Sequence, residues 1–130
     1  MRFQEVALAY AYRDGQPDKC AVGHNNLAGC LQRQGGATVA GLAHGLAAAT
    51  IGLQMRSGLL STTLSNLARS DLPPAPPTFA AVAEEVERVE GVRFRALFER
   101  LPRTAPDGDA AIAAVWRLVE EERARQRPER

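Results

Sequence analysis

The sequence predicts an all-α fold, on three observations. Twenty-three of its 130 residues are Ala and only 5% are aromatic, so a core has to form by backbones lying close together rather than by large rings. No run of apolar/polar alternation is long enough for a half-buried strand. Apolar residues recur instead at three- and four-residue intervals between Gly and Pro stops. The length suits a single domain, large enough to bury a core without disulfide or metal staples.

The first helix is predicted over residues 3–12, where Phe3, Val6, Ala7, Tyr10 and Ala11 share a face, and Asp14-Gly15-Gln16-Pro17 stops it. Pro17 suits the first turn of a second helix, and Asp18 lies where a negative charge favours the amino end. Its pattern of Ala21, His24, Leu27, Ala28 and Leu31 continues to Gln34, before Gly35-Gly36. A third helix spans about Thr38 to Arg56, with Ala40, Ala43, Ala47, Ile51 and Met55 on or near one stripe, and Ser57-Gly58 closes it. In the fourth, Leu59 to Arg69, the apolar set is Leu60, Leu64, Leu67 and Ala68; its Ser, Thr and Asn positions form helix poorly, so packing has to hold it.

Residues 72–77 contain four prolines in six positions, which fixes dihedrals, removes amide donors and predicts an extended connector. Read as a stiff spacer, it is the main boundary of the chain. Thr78 is placed to cap a fifth helix carrying Phe79, Val82, Val86 and Val89 and ending at Gly91. A short sixth helix bears Phe94, Leu97, Phe98 and Leu101 and stops at Pro102. Asp107-Gly108-Asp109 opens the last helix, with Ile112, Val115, Trp116 and Val119 on one face. Beyond Glu120 the charged sequence has no apolar face and is expected to fray. The expected organisation is thus helical hairpins over 1–70, a connector over 71–77, a helical cap over 78–122 and a frayed tail over 123–130.

Sixteen basic and fifteen acidic residues leave a net charge of +1, which provides no broad field for nucleic acid or anionic lipid. Two cysteines make no disulfide framework, and nothing at the start reads as a secretion signal, so a cytoplasmic location is expected. The apolar stretch from Ala37 to Leu53 is interrupted by Gly41, His44, Gly45 and Gly52 and is too weak for a membrane span.

Cys20, His24, Cys30 and His44 are the residues most suggestive of chemistry, since Cys20 and His24 share a helical face. They lack the second ligand pair that a zinc site needs, and one helix cannot converge a cysteine, its base and an orienting group on a substrate. Small cysteine fillers and packed histidines are expected instead, with no metal or other cofactor. A cysteine- or metal-dependent enzyme built on these four is kept as the alternative. Glu84, Glu85, Glu87 and Glu90 read as a solvated helix face paired with nearby arginines. Fifteen arginines against one lysine are interleaved with acids, so a DNA-binding regulator is kept only as a second alternative.

Residues 21–54 have the length of one helix-turn-helix repeat of about 34 residues. Leu27, Ala28, Leu31, Gly35, Ala40 and Ala47 match, without insertion, the spacing of a tetratricopeptide repeat, and the segment resembles that family. The alanines suit close helix crossings, Leu27 and Leu31 the seam, and Gly35 the turn. His24 stands where the family carries a large aromatic, His44 at another bulky apolar position, and Gly52 in place of a closing proline. Residues 3–12 look like the second helix of a preceding unit, and 59–69 like the first helix of a degenerate next one. The resemblance implies a short α-solenoid and a bacterial interaction or scaffold module, of the kind found beside effector proteins. Asn25, Asn26 and Arg33 on the first helix of the pair are the candidate partner-facing residues, suited to peptide backbone or carboxylate. A non-enzymatic module binding a protein or peptide is therefore expected, with self-association where a repeat end exposes apolar surface.

Overall fold

The computed structural model describes residues 2–35, 39–102 and 105–126. Among these the chain forms seven helices and no strand: α1 (Arg2–Asp14), α2 (Pro17–Gly35), α3 (Val39–Met55), α4 (Leu59–Ala68), α5 (Phe79–Val86), α6 (Phe94–Arg100) and α7 (Gly108–Gln126). None of them is long and apolar enough to cross a membrane.

Several breakers and caps act where the sequence places them. Gly15 ends α1 at φ +71°, and its N–H donates to the carbonyls of Ala11 and Tyr12. Thr78 caps α5, its hydroxyl accepting from the Ala81 N–H at 3.1 Å. Asp107 does the same for α7 through the Ala110 N–H at 2.8 Å. Asp109 accepts from the Phe79 N–H at 2.8 Å, which ties the first turn of α7 to that of α5. Between α4 and α5, residues 71–78 are non-helical, with Pro73, Pro74, Ala75 and Pro76 exposed.

Several details depart from the expected pattern. α3 is buried on every side: Ala43 through Gly52 are buried without interruption, whereas Ala40 and Met55 at its ends are half-buried. The reason is its position, since α2, α4, α5 and α7 all pack against it, so it has no solvent face to mark with polar residues. Its small residues let α4 come close; a Cβ on Gly45 would stand 2.8 Å from Leu67 Cδ2. Next, α5 stops at Val86, short of Gly91, because the Glu87 carboxylate accepts the Arg95 N–H at 2.9 Å at the start of α6. Lastly, α7 is helical through Gln126, held at its charged end by side-chain bonds from Gln126 to Ser65 and from Arg123 to the Ser70 carbonyl.

The end of α3 also differs from the Ser57-Gly58 stop. Arg56 takes the left-handed conformation at φ +54°, while Gly58 stays right-handed at φ −63°. The Ser57 N–H then reaches back to the Gly52 carbonyl at 2.9 Å, a reversed-turn closure that usually employs glycine. Arg56→Gly is therefore expected to raise stability by about 0.5–1 kcal/mol, measured by urea unfolding. An unchanged or lowered midpoint would show that the Arg56 side chain outweighs its backbone strain.

Candidate functional site

α2 carries polar residues on two different faces. Asn25, Gly29, Gln32 and Arg33 follow one another at i, i+4, i+7 and i+8, so they form one stripe. Opposite them on α4 stand Thr63 and Asn66, and the two walls enclose a groove of about 260 Å³ with Ala28, Gly29, Gly45 and Leu67 in its lining. Small residues there bring the groove down to the backbones of α2 and α3. Of the expected partner-facing residues, Asn25 and Arg33 thus come together. Asn26, one residue further round the helix, lines a separate groove between α1 and α2.

The α2–α4 groove carries no carboxylate on its walls and one cation, Arg33. The Asn25 amide is half-buried and makes no hydrogen bond among the described residues. Arg33 is exposed, with Cys30 Sγ 3.4 Å from Nη2 and no ion pair among the described residues. Gln32 donates to the Ser70 hydroxyl, which itself donates to the Asn66 carbonyl at 3.0 Å. Arg69 crosses the same end of α4, donating to Asn66 Oδ1 at 2.7 Å and Ser65 Oγ at 2.9 Å. Gln32, Thr63 and Asn66 were not singled out from sequence. Gln32 was legible, at i+7 from Asn25; the α4 pair was not, because its facing partner is set by the crossing of two helices.

The histidines form a second feature. The Tyr12 hydroxyl lies 2.6 Å from His24 Nε2, and His24 Nδ1 lies 2.8 Å from His44 Nδ1, linking α1, α2 and α3 in one chain of hydrogen bonds. With Tyr12 as donor the tautomers follow: His24 carries its proton on Nδ1 and donates it to His44 Nδ1, which leaves the His44 proton on Nε2. His24 is fully buried and His44 nearly so, and burial holds both neutral. The His44 pKa falls to about 4, and that of His24 drops well below its usual 6.5 through desolvation and then through its neighbour His44. Burial likewise pushes the Tyr12 phenol up. Phe94 closes the site with its ring edge-on to His24, centroids 6.0 Å apart.

The cysteines stand outside this chain. Cys20 is buried, which pushes its thiol up to about 12 and keeps it protonated near neutrality, and Cys30 faces Arg33. Among the described residues no three His, Cys, Asp or Glu side chains are grouped so as to hold a metal ion. Two of the four glutamates expected on a solvated face engage arginines, Glu85 with Arg88 at 3.5 Å and Glu87 with Arg95 at 3.6 Å. A larger concavity of about 580 Å³ lies between α1 and the turn at 89–93, over Tyr12. Its rim mixes Glu5 and Glu90 with Arg13 and Arg93, so it selects no single charge class. No family model, curated protein or solved structure matches this chain.

Proposed function

We propose that this chain is a non-enzymatic protein–protein interaction module, a cytoplasmic scaffold or regulatory unit that holds an extended segment of a partner in the groove between α2 and α4. One observation carries the reading: two facing helices present Asn25, Gln32, Arg33, Thr63 and Asn66 across a floor of Ala28, Gly29 and Gly45, with no carboxylate among them. An extended peptide has a backbone donor and acceptor at every residue. The Asn25 amide offers both complements, and the Arg33 fork fits a carboxylate in two parallel bonds. In this reading α2 and α3 are a tetratricopeptide-like hairpin, α4 opens the next unit, and the helices after the connector cover the remaining face of α3. The buried positions of Ala28 and Ala47, at 6% and 0% exposure, support close crossing of that hairpin.

The test is an array of extended peptides, with and without acidic side chains and a free carboxyl terminus, probed with the wild-type chain and three variants. Binding of carboxylate-bearing peptides is expected, weakened on the order of tenfold or more by Arg33→Glu and less by Asn25→Ala. Asn26→Ala, in the separate groove between α1 and α2, leaves it unchanged. Peptide binding that ignores Arg33→Glu and Asn25→Ala, or an array with no carboxylate-dependent binding, overturns the assignment.

A further inference from the structure

α1 buries one side and leaves the other bare. Leu8 and Ala11 are buried toward α2, and Tyr12 reaches His24, but Phe3 is 77% and Tyr10 58% exposed, with Val6 and Val22 beside them at 45%. Ala7 is exposed in the middle of this face. Four residues on one solvent-facing side of two neighbouring helices form an exposed apolar patch.

We propose that this face binds the same face of a second copy of the chain, α1 lying antiparallel on α1 with the two-fold axis at Ala7. Phe3, Ala7, Tyr10 and Asp14 are spaced four, three and four apart, which is the seam of a paired helix. Ala7 is its smallest member and stands at the centre, where two backbones approach most closely. Phe3 lies about 6 Å to one side of Ala7 along the axis and Tyr10 about 4.5 Å to the other. A two-fold at Ala7 therefore sets each Phe3 beside the other copy's Tyr10, giving two aromatic pairs from one contact. Charge selects the direction. Asp14 is exposed at the carboxyl end of α1, and Asp18 is exposed just beyond it. In the antiparallel arrangement Asp14 falls at the amino end of the other α1, where the helix dipole favours a carboxylate. A parallel arrangement would align the two helix dipoles side by side; Arg13 and Lys19, exposed at the same end, offset the acids there. Asp14 has no ion pair among the described residues.

The experiment is sedimentation velocity on the whole chain over a wide concentration range. The wild type is expected to show a reversible dimer. Ala7→Glu and Ala7→Lys keep good helix formers at an exposed position, so circular dichroism remains that of the wild type. Each places two like charges at the two-fold axis and is expected to weaken the dimer tenfold or more, while an equal mixture of the two variants associates again. Recovery in the mixture fits only a contact in which Ala7 meets Ala7. A wild type that stays monomeric leaves the face to a helix of another protein and overturns the proposal. So does an Ala7→Glu chain that dimerises like the wild type, or a mixture that stays monomeric. This contact is separate from the peptide groove: Arg33→Glu leaves the dimer unchanged, and Ala7→Glu leaves peptide binding unchanged.

Discussion

Acidification through the window from 6.5 down to about 4 is expected to destabilise this fold more steeply than a variant in which Tyr12, His24 and His44 are replaced together by Phe, Leu and Leu. In the unfolded chain both histidines take up a proton near 6.5, whereas in the folded chain burial holds His44 neutral down to about 4 and His24 further still. The unfolded state therefore binds more protons throughout that window, and stability rises with pH across it. The contribution is fully present above 6.5 and is lost as the pH falls toward the folded values. For His44 the separation of the two values corresponds to on the order of 3 kcal/mol, and His24 adds to it with the same sign. Carboxylates titrate in both proteins, so the difference between the two pH profiles isolates the histidines. Urea unfolding at a series of pH values gives both profiles, and parallel curves would show that the pair is hydrated enough to protonate in the folded state.

The same variants separate the worth of the pair from the cost of breaking it. His44→Leu alone leaves the His24 Nδ1–H buried without its acceptor, and is expected to cost about 1–3 kcal/mol near neutral pH. The triple replacement removes donor and acceptor at every link and is expected to cost less than the sum of its parts. Additive losses would mean that the three side chains act independently, against the 2.6 and 2.8 Å links between them.

Phe94→Ala is expected to cost about 3–5 kcal/mol, a large share of the roughly 5–15 kcal/mol by which a domain of this kind is stable. Phe94 is 0% exposed, and its ring stands 5.3 Å from that of Phe79 and 6.0 Å from that of His24. Phe79 in turn packs on Phe98 at 4.8 Å, so the loss opens a cavity between the first three helices and the α5–α6 unit. Phe94→Leu keeps most of the volume and is expected to cost much less. Equilibrium unfolding of both variants checks the ratio. A loss below about 1 kcal/mol for the alanine variant would mean that the surrounding helices collapse into the space.

Helix positions were legible because local chemistry sets them. Pro17, Thr78 and Asp107 open helices, Gly15 closes one, and the proline run keeps 71–78 out of any helix, all within a few residues of the sites concerned. Where a distant group enters, legibility ends. α5 is shorter than its apolar pattern suggests because Glu87 is drawn to the amino end of α6. The tail of α7 persists without an apolar face because Ser65 and Ser70 on the far side of the chain accept its donors.

The candidate site divides in the same way. Helical periodicity alone places Asn25 and Gln32 on one stripe with Arg33 at its edge, since that geometry belongs to a single helix; Asn26 lies seven residues before Arg33, near the same side, and the packing of α1 on α2 puts it in a separate groove. That Thr63 and Asn66 face this stripe depends on the angle at which α4 crosses α2 and α3, and no local pattern encodes it. His24 and His44 stood out in the sequence as polar residues at apolar positions; that they bond to one another, and that Tyr12 completes the chain, required three helices to be brought together. The sequence by itself determined an all-helical chain and the start of most of its helices, because capping, glycine turns and proline act over one or two turns. Tertiary structure alone decided which faces meet, because burial on all sides of α3 and the pairing of side chains twelve to sixty residues apart arise only when the helices pack.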